Sequence, residues 1–276
     1  MKDTTIITTA MPHLIARQFS FTEGPAVDRH GNIFFTDQPN NQIWKYDTNG
    51  IISLFMENAG RSNGMYFDRK GNLLSCADEE NQLWSINRNG KVTVLVRSYQ
   101  GKRLNGPNDL WVAPNGNIYF TDPFYLRSYW TRTKPEIEGQ KVYLLSPGSH
   151  DPVVVVENLQ QPNGIVGTPD GKSLYVADIK GNKTFRYPIR PDGSLGDGQL
   201  FTDMGSDGMT LDNMGNVYLT GNGVTVFNPS GKKILHIPIP EKWTANLAFG
   251  GKDRDQLFIT ASEGIYVLKM NVRGVE

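Results

Sequence analysis

One cysteine, Cys76, stands in the whole sequence, so no internal disulfide can form. That usage fits a reducing compartment, and a soluble cytoplasmic protein is the expectation. Cys76 lies in an apolar stretch and reads as buried filler, not as a nucleophile. Charge of either sign is not in excess: 28 basic residues balance 28 acidic ones. A nucleic-acid surface would need a basic surplus, so no nucleic-acid partner is expected. No apolar run approaches the roughly 20 residues that span a bilayer, and no membrane partner is expected. The first residues, Met1 to Ala10, hold too short an apolar core for a signal peptide and read as a loose tail over 1–10. Sustained helical periodicity is missing as well.

What the chain has instead is a repeated phrase. The first copy reads Glu23-Gly24-Pro25-Ala26-Val27-Asp28-Arg29-His30-Gly31-Asn32. An acid or amide opens it, a short apolar strand follows, then a Gly-centred turn and a second apolar strand. Aligned on their turns, further copies begin at Asn63, Asn108, Asn163 and Asp207, with a degenerate sixth at Asn246. The second copy shows the whole unit: strands over 64–68, 72–77, Gln82–Ile86 and Val92–Val96, separated by Arg69-Lys70-Gly71-Asn72 and Asn87-Arg88-Asn89-Gly90. Four short antiparallel strands per repeat describe a β-propeller blade. The fold expected is all-β: one six-bladed β-propeller domain over 1–276. The sixth repeat is one strand short, and a ring must close or leave unpaired edges. The spare strand at 14–19 is expected to complete blade six. Between Asp122 and Lys141 an insertion, 123–139, is too long for a hairpin turn; it reads either as a functional loop or as a surface excursion.

Six blades around an axis place equivalent positions on a ring. The opening residues of the copies, Glu23, Asn63, Asn108, Asn163, Asp207 and Asn246, should therefore converge at one end of that axis. All are oxygen donors. Clustered carboxylates repel unless positive charge sits among them. Hard dications take carboxylate and amide oxygens, and Ca²⁺ accepts six to eight of them in flexible geometry. One divalent cation, Ca²⁺ first and Mg²⁺, Mn²⁺ or Zn²⁺ as alternatives, is the cofactor expected. Zinc usually prefers His or Cys, and neither occupies the ring. His13, His30, His150 and His236 all fall elsewhere, and no GxSxG elbow is present, so a Ser-His-Asp site is not expected. A general base, if one exists, should be a carboxylate. Asp37, Asp78, Asp122 and Asp178 each end a second strand and read as turn-formers.

With those residues in view, the chain resembles the SMP-30/gluconolactonase family of six-bladed propellers; paraoxonases and diisopropyl fluorophosphatases are more distant relatives. The resemblance rests on Glu23-Gly24-Pro25, Arg103-Leu104-Asn105-Gly106-Pro107-Asn108-Asp109, Phe120-Thr121-Asp122-Pro123, Gln161-Pro162-Asn163-Gly164 and Ser206-Asp207-Gly208, in order and spacing. It implies a metal bound by Glu23, Asn108, Asn163 and Asp207, with Asp207 also the catalytic carboxylate, as base or nucleophile. It implies a small-molecule sugar lactone as substrate, and Arg103 lies near the position of a substrate-binding arginine. Asn63 and Asn246 would then be free to bind sugar hydroxyls. Two other readings stay open: hydrolysis of an aromatic lactone or organophosphate ester, and a non-catalytic binding scaffold with a structural ion. A monomer or small homo-oligomer is expected.

Overall fold

Twenty-four strands follow one another through residues 6 and 11–275, which the computed structural model describes. They form six blades. Blades one to four cover 22–57, 62–96, 110–156 and 162–202, each a four-stranded antiparallel sheet with its strands in sequence order from the axis outward. Blade five covers 209–237. Blade six is built from Thr244–Gly250, Gln256–Ala261 and Gly264–Lys269, with His13–Arg17 antiparallel to the last of these. The N-terminal strand therefore closes the ring, as the missing-strand count required. Among the described residues no helix is long and apolar enough to cross a membrane.

The strand patterns explain the layering. The first two strands of blade one, Thr22–Val27 and Ile33–Asp37, are buried throughout, whereas its outer strand Ile52–Glu57 alternates between half-buried and exposed. Inner strands are covered by neighbouring blades on both faces, so they are buried end to end, polar residues included; outer strands meet water on one side. The spaces between blades are filled by large side chains such as Tyr119, Phe120, Tyr143, Tyr218 and Phe258. Phe19, just beyond the closing strand, packs edge-on against Phe35 and Trp44 of blade one, with centroids 5.1 and 5.6 Å away. Of the expected tail, residues 1–5 and 7–10 lie outside the described residues. Ile6 is buried against blade six, and its carbonyl accepts the Asn271 N–H. Cys76 is buried in blade two, where burial pushes its thiol well above the usual range.

The Asp-Gly-Asn turns close in one recurring way. Asp28 accepts the His30 and Asn32 N–H groups on one oxygen and the Asn32 side-chain amide on the other. Asp68 with Asn72, and Asp212 with Asn216, repeat the clasp. Asp37, Asp122 and Asp178 likewise accept backbone N–H groups of the preceding loop: Ser20 and Phe21, Asn105 and Gly106, and Gln160 and Gln161. Asp78 departs from the turn-forming role expected of it. Its carboxylate accepts from Arg127 (2.8 Å) and Tyr129 of the insertion.

Candidate functional site

The opening residues of the repeats do not simply precede the innermost strands. In blades one, two, four and six the pairing register slips at them, between Glu23 and Ala26, Ser62 and Met65, Pro162 and Ile165, and Thr244 and Asn246. Each slip is a bulge, and a bulge re-aims the side chain it carries. In blades three and five the innermost strands start just after Asn108 and Asp207, at Leu110 and Met209. Hydroxyls on the second strands pin the backbone from one blade to the next. Thr36 donates to the Asn63 carbonyl (3.3 Å), Thr121 to that of Asn163 (2.8 Å) and Thr220 to that of Ala245 (2.8 Å).

Glycine follows the ring residue in four blades, and the reason is proximity. A Cβ on Gly64 would lie 2.5 Å from the Asn108 carbonyl, and one on Gly164 2.9 Å from that of Asp207. In blade three the corresponding residue is Asp109, and the bare Gly64 leaves room for its carboxylate. Asp109 belongs to the site although repeat alignment did not single it out. The signal was present: it is the one charged side chain at a position otherwise held by glycine or leucine.

Glu23, Asn63, Asn108, Asn163 and Asn246 are buried, and Asp207 is partly so. The Asn246 amide donates to Glu23 and to Asp109, 3.3 Å each, and its own oxygen accepts the Leu247 N–H at 2.8 Å. Asn246, expected to meet substrate hydroxyls, has its amide turned into the ring, joining two carboxylates. Glu23 also accepts the Gly24 N–H at 2.5 Å. Asn163 donates 2.8 Å hydrogen bonds to Asp207 Oδ1 and to the Tyr125 hydroxyl. Trp243 Nε1 donates to Asp207 Oδ2 at 2.6 Å. Asn63 and Asn108 are tied through the Gly64 N–H, which donates to the Asn108 carbonyl at 2.7 Å. Arg103 lies apart: it is half exposed, and its guanidinium is 4.0 Å from Glu136. The arginine whose charge reaches Asp207 is Arg127, from the insertion.

Electrostatics binds the set together. Burial pushes Glu23 well above the usual carboxylate range, and the charges of Asp207 and Asp109 push it further. Burial raises Asp207 to about 6, against the opposing hydrogen bonds of Trp243 and Asn163 and the charge of Arg127. Three carboxylates thus face one end of the axis with amides between them, and a positive charge there would relieve their repulsion. The oxygens Asn63 Oδ1 and Asn163 Oδ1 are buried with no hydrogen-bond partner. Buried polar atoms are nearly always partnered, so these two, set among the ring carboxylates, fit a water or an ion. Among the described residues no three His, Cys, Asp or Glu side chains gather into a metal cluster. A cation held here would need amide oxygens as well as carboxylates, the donor chemistry of a hard ion.

The walls come from two segments outside the repeat. The insertion supplies Tyr125, Arg127 and Tyr129, with Arg61 stacked 4.4 Å from the Tyr129 ring and Arg132 4.2 Å from that of Trp130. The linker before blade six supplies Trp243, whose indole is partly exposed. Neither Tyr125 nor Trp243 occupies a repeated position.

A model of the SMP-30/Gluconolactonase/LRE-like region matches residues 21–263. The chain belongs to that family. It is 28% identical over 293 residues to the gluconolactonase of Zymomonas mobilis subsp. mobilis, covering 95% of this chain and 82% of that one. Its structure resembles that of a gluconolactonase from Xanthomonas campestris with a TM-score of 0.87 at 26% identity, over 96% of both chains. Regucalcin of Agrobacterium tumefaciens, a calcium-binding protein, superposes with a TM-score of 0.81 at 20% identity, over 98% of this chain and 97% of that one, and so shares the fold. Chemistry of the gluconolactonase and sugar-lactonase class is thereby supported for this member of the family.

Proposed function

We propose that the protein hydrolyses a sugar lactone with the help of one divalent cation, Ca²⁺ first among the candidates. The observation that carries this reading is the pair of buried, unpartnered amide oxygens of Asn63 and Asn163 among the carboxylates of Glu23, Asp109 and Asp207. Glu23, Asn108, Asn163 and Asp207 would hold the ion. Such an ion, when bound, polarises a lactone carbonyl and stabilises the oxyanion that develops on it.

The remaining work falls to side chains of this chain. Asp207 takes a proton from the attacking water, with its orientation set by Asn163 and Trp243. Asn246 keeps Glu23 and Asp109 in place by donating to both. Asn63 faces the site with a free oxygen, and Tyr125 and Trp243 wall it. Arg103 would reach substrate only from the rim, where it now faces Glu136.

Two measurements test the reading. Asp207→Asn should abolish lactone turnover while leaving the melting transition in place; near-normal turnover rejects Asp207 as the base. A panel of sugar, aliphatic and aromatic lactones and an organophosphate ester, assayed with and without chelator, should show sugar-lactone hydrolysis lost on chelation and restored by a divalent ion. Chelator-insensitive hydrolysis removes the cation from the mechanism, and an inert panel favours a binding scaffold.

A further inference from the structure

Asn163 and Asp207 are joined at their ends by two residues that the repeat does not supply. Tyr125 comes from the insertion of blade three, and Trp243 from the linker between blades five and six. A continuous chain of hydrogen bonds results: Trp243 Nε1 to Asp207 Oδ2 (2.6 Å), Asn163 Nδ2 to Asp207 Oδ1 (2.8 Å), Asn163 Nδ2 to Tyr125 hydroxyl (2.8 Å). Both N–H groups of the Asn163 amide are taken. A flipped amide would set its oxygen against the Asp207 carboxylate, which has no proton to give when ionised. The amide is therefore held one way round, and that leaves Oδ1 buried and bare. Asp207 is treated alike: each of its oxygens receives one N–H and keeps a second lone-pair direction open.

Resting on the cation reading above, we infer that Tyr125 and Trp243 are positioning residues, orienting Asn163 and Asp207 so that their open oxygen faces are presented to a divalent cation. Groups that orient metal ligands from behind typically alter affinity by about 10–100-fold when removed. The chain of contacts also makes the insertion part of the site. Tyr125 is carried by a segment fixed to blade two through Asp78, which accepts from Arg127 and Tyr129. Trp130 adds an indole N–H to the Asp78 carbonyl at 3.0 Å.

Calorimetric titration with calcium chloride tests this without reference to turnover. Tyr125→Phe and Trp243→Phe each keep a ring and delete one polar group. Both should bind Ca²⁺ about 10-fold or more weakly than the unsubstituted protein, with cation-free melting temperatures close to its own. A merely structural role would lower the melting temperature and leave the affinity alone. Trp243 provides a second readout, because Ca²⁺ at Asp207 changes the charge beside its indole. Tryptophan emission should shift on Ca²⁺ addition, and the shift should vanish in Trp243→Phe; this measurement stands even if Tyr125→Phe fails to fold. If the unsubstituted protein binds Ca²⁺ and both variants bind it within twofold, the positioning role is overturned and the cation site survives. If the unsubstituted protein binds no Ca²⁺, Mg²⁺ or Mn²⁺, the cation reading itself fails.

Discussion

At Gly24 the backbone adopts φ +48°, and an added Cβ would be driven into the Asn63 carbonyl of the next blade. Nothing flexible stands there to yield, because Asn63 is itself held by Thr36. Gly71 offers a contrast: φ is +81°, but no heavy atom lies within 4 Å of an added Cβ. Gly71→Ala should cost about 1 kcal/mol, the ordinary penalty for a left-handed backbone. Gly24→Ala adds a backbone collision and should cost about 3 kcal/mol or more. Urea unfolding of both variants measures the difference; equal midpoints would mean that the blades can separate at the axis without penalty. The same residues show what a repeat reveals. Glu23, Asn63, Asn163 and Asp207 could be found because the phrase returns and each time opens on an oxygen donor. Asp109 shows in the repeat only as an exception at a position otherwise held by glycine or leucine, and Tyr125 and Trp243 lie outside the repeat, so periodicity is blind to them. Asn246 opens the degenerate sixth copy, yet its partners are carboxylates that only the closed ring brings to it.

The insertion is the element whose role sequence left undecided. Its length marked it as more than a turn, but its anchor lies some fifty positions upstream. Asp78 shares the strand-end position of Asp37, Asp122 and Asp178, and therefore looked like one more turn-former. Its environment differs because the loop before blade two does not turn its backbone N–H groups toward it, which leaves the carboxylate for Arg127 and Tyr129. Asp78 is buried and Arg127 largely so, with 2% and 23% of their side chains exposed. Hydrogen bonds to charged groups contribute about 1.5–3 kcal/mol each. Asp78→Ala should therefore detach the insertion locally, leaving the blades folded. Limited trypsinolysis reads this directly, since Arg127 and Arg132 lie within it. Cleavage there should accelerate at least tenfold, by about the factor that 1.4 kcal/mol of local opening gives when reclosing is fast. An unchanged digestion pattern would mean that the aromatic stacking around Trp130 holds the segment alone.

Closure is the property of the whole molecule, and strand counting made it legible before any coordinates: five complete repeats, a sixth lacking its outer strand, and a spare strand at the other end. What counting could not give was the register or the lock. His13–Arg17 pairs with Gly264–Lys269 through a bulge between Leu14 and Ala16. Arg17 then donates to Tyr266 at 2.9 Å and pairs with Glu241, which also accepts the Tyr266 hydroxyl at 2.7 Å. The strand itself is mostly exposed, so its value lies in covering an edge and in tying blade six to Phe19 and blade one. Deleting residues 1–17 removes that cover while every ring residue stays in the chain. A protein of this size loses about 2–4 °C in melting temperature per kcal/mol, so a drop of roughly 5–10 °C is expected for the loss of one strand's pairing. The exposed edge of Gly264–Lys269 should also recruit a second chain, making the melting temperature and the sedimentation profile depend on protein concentration. Should the truncated protein melt at the original temperature as a concentration-independent monomer, the propeller is closed by blade-to-blade packing alone, and the N-terminal strand is dispensable to it.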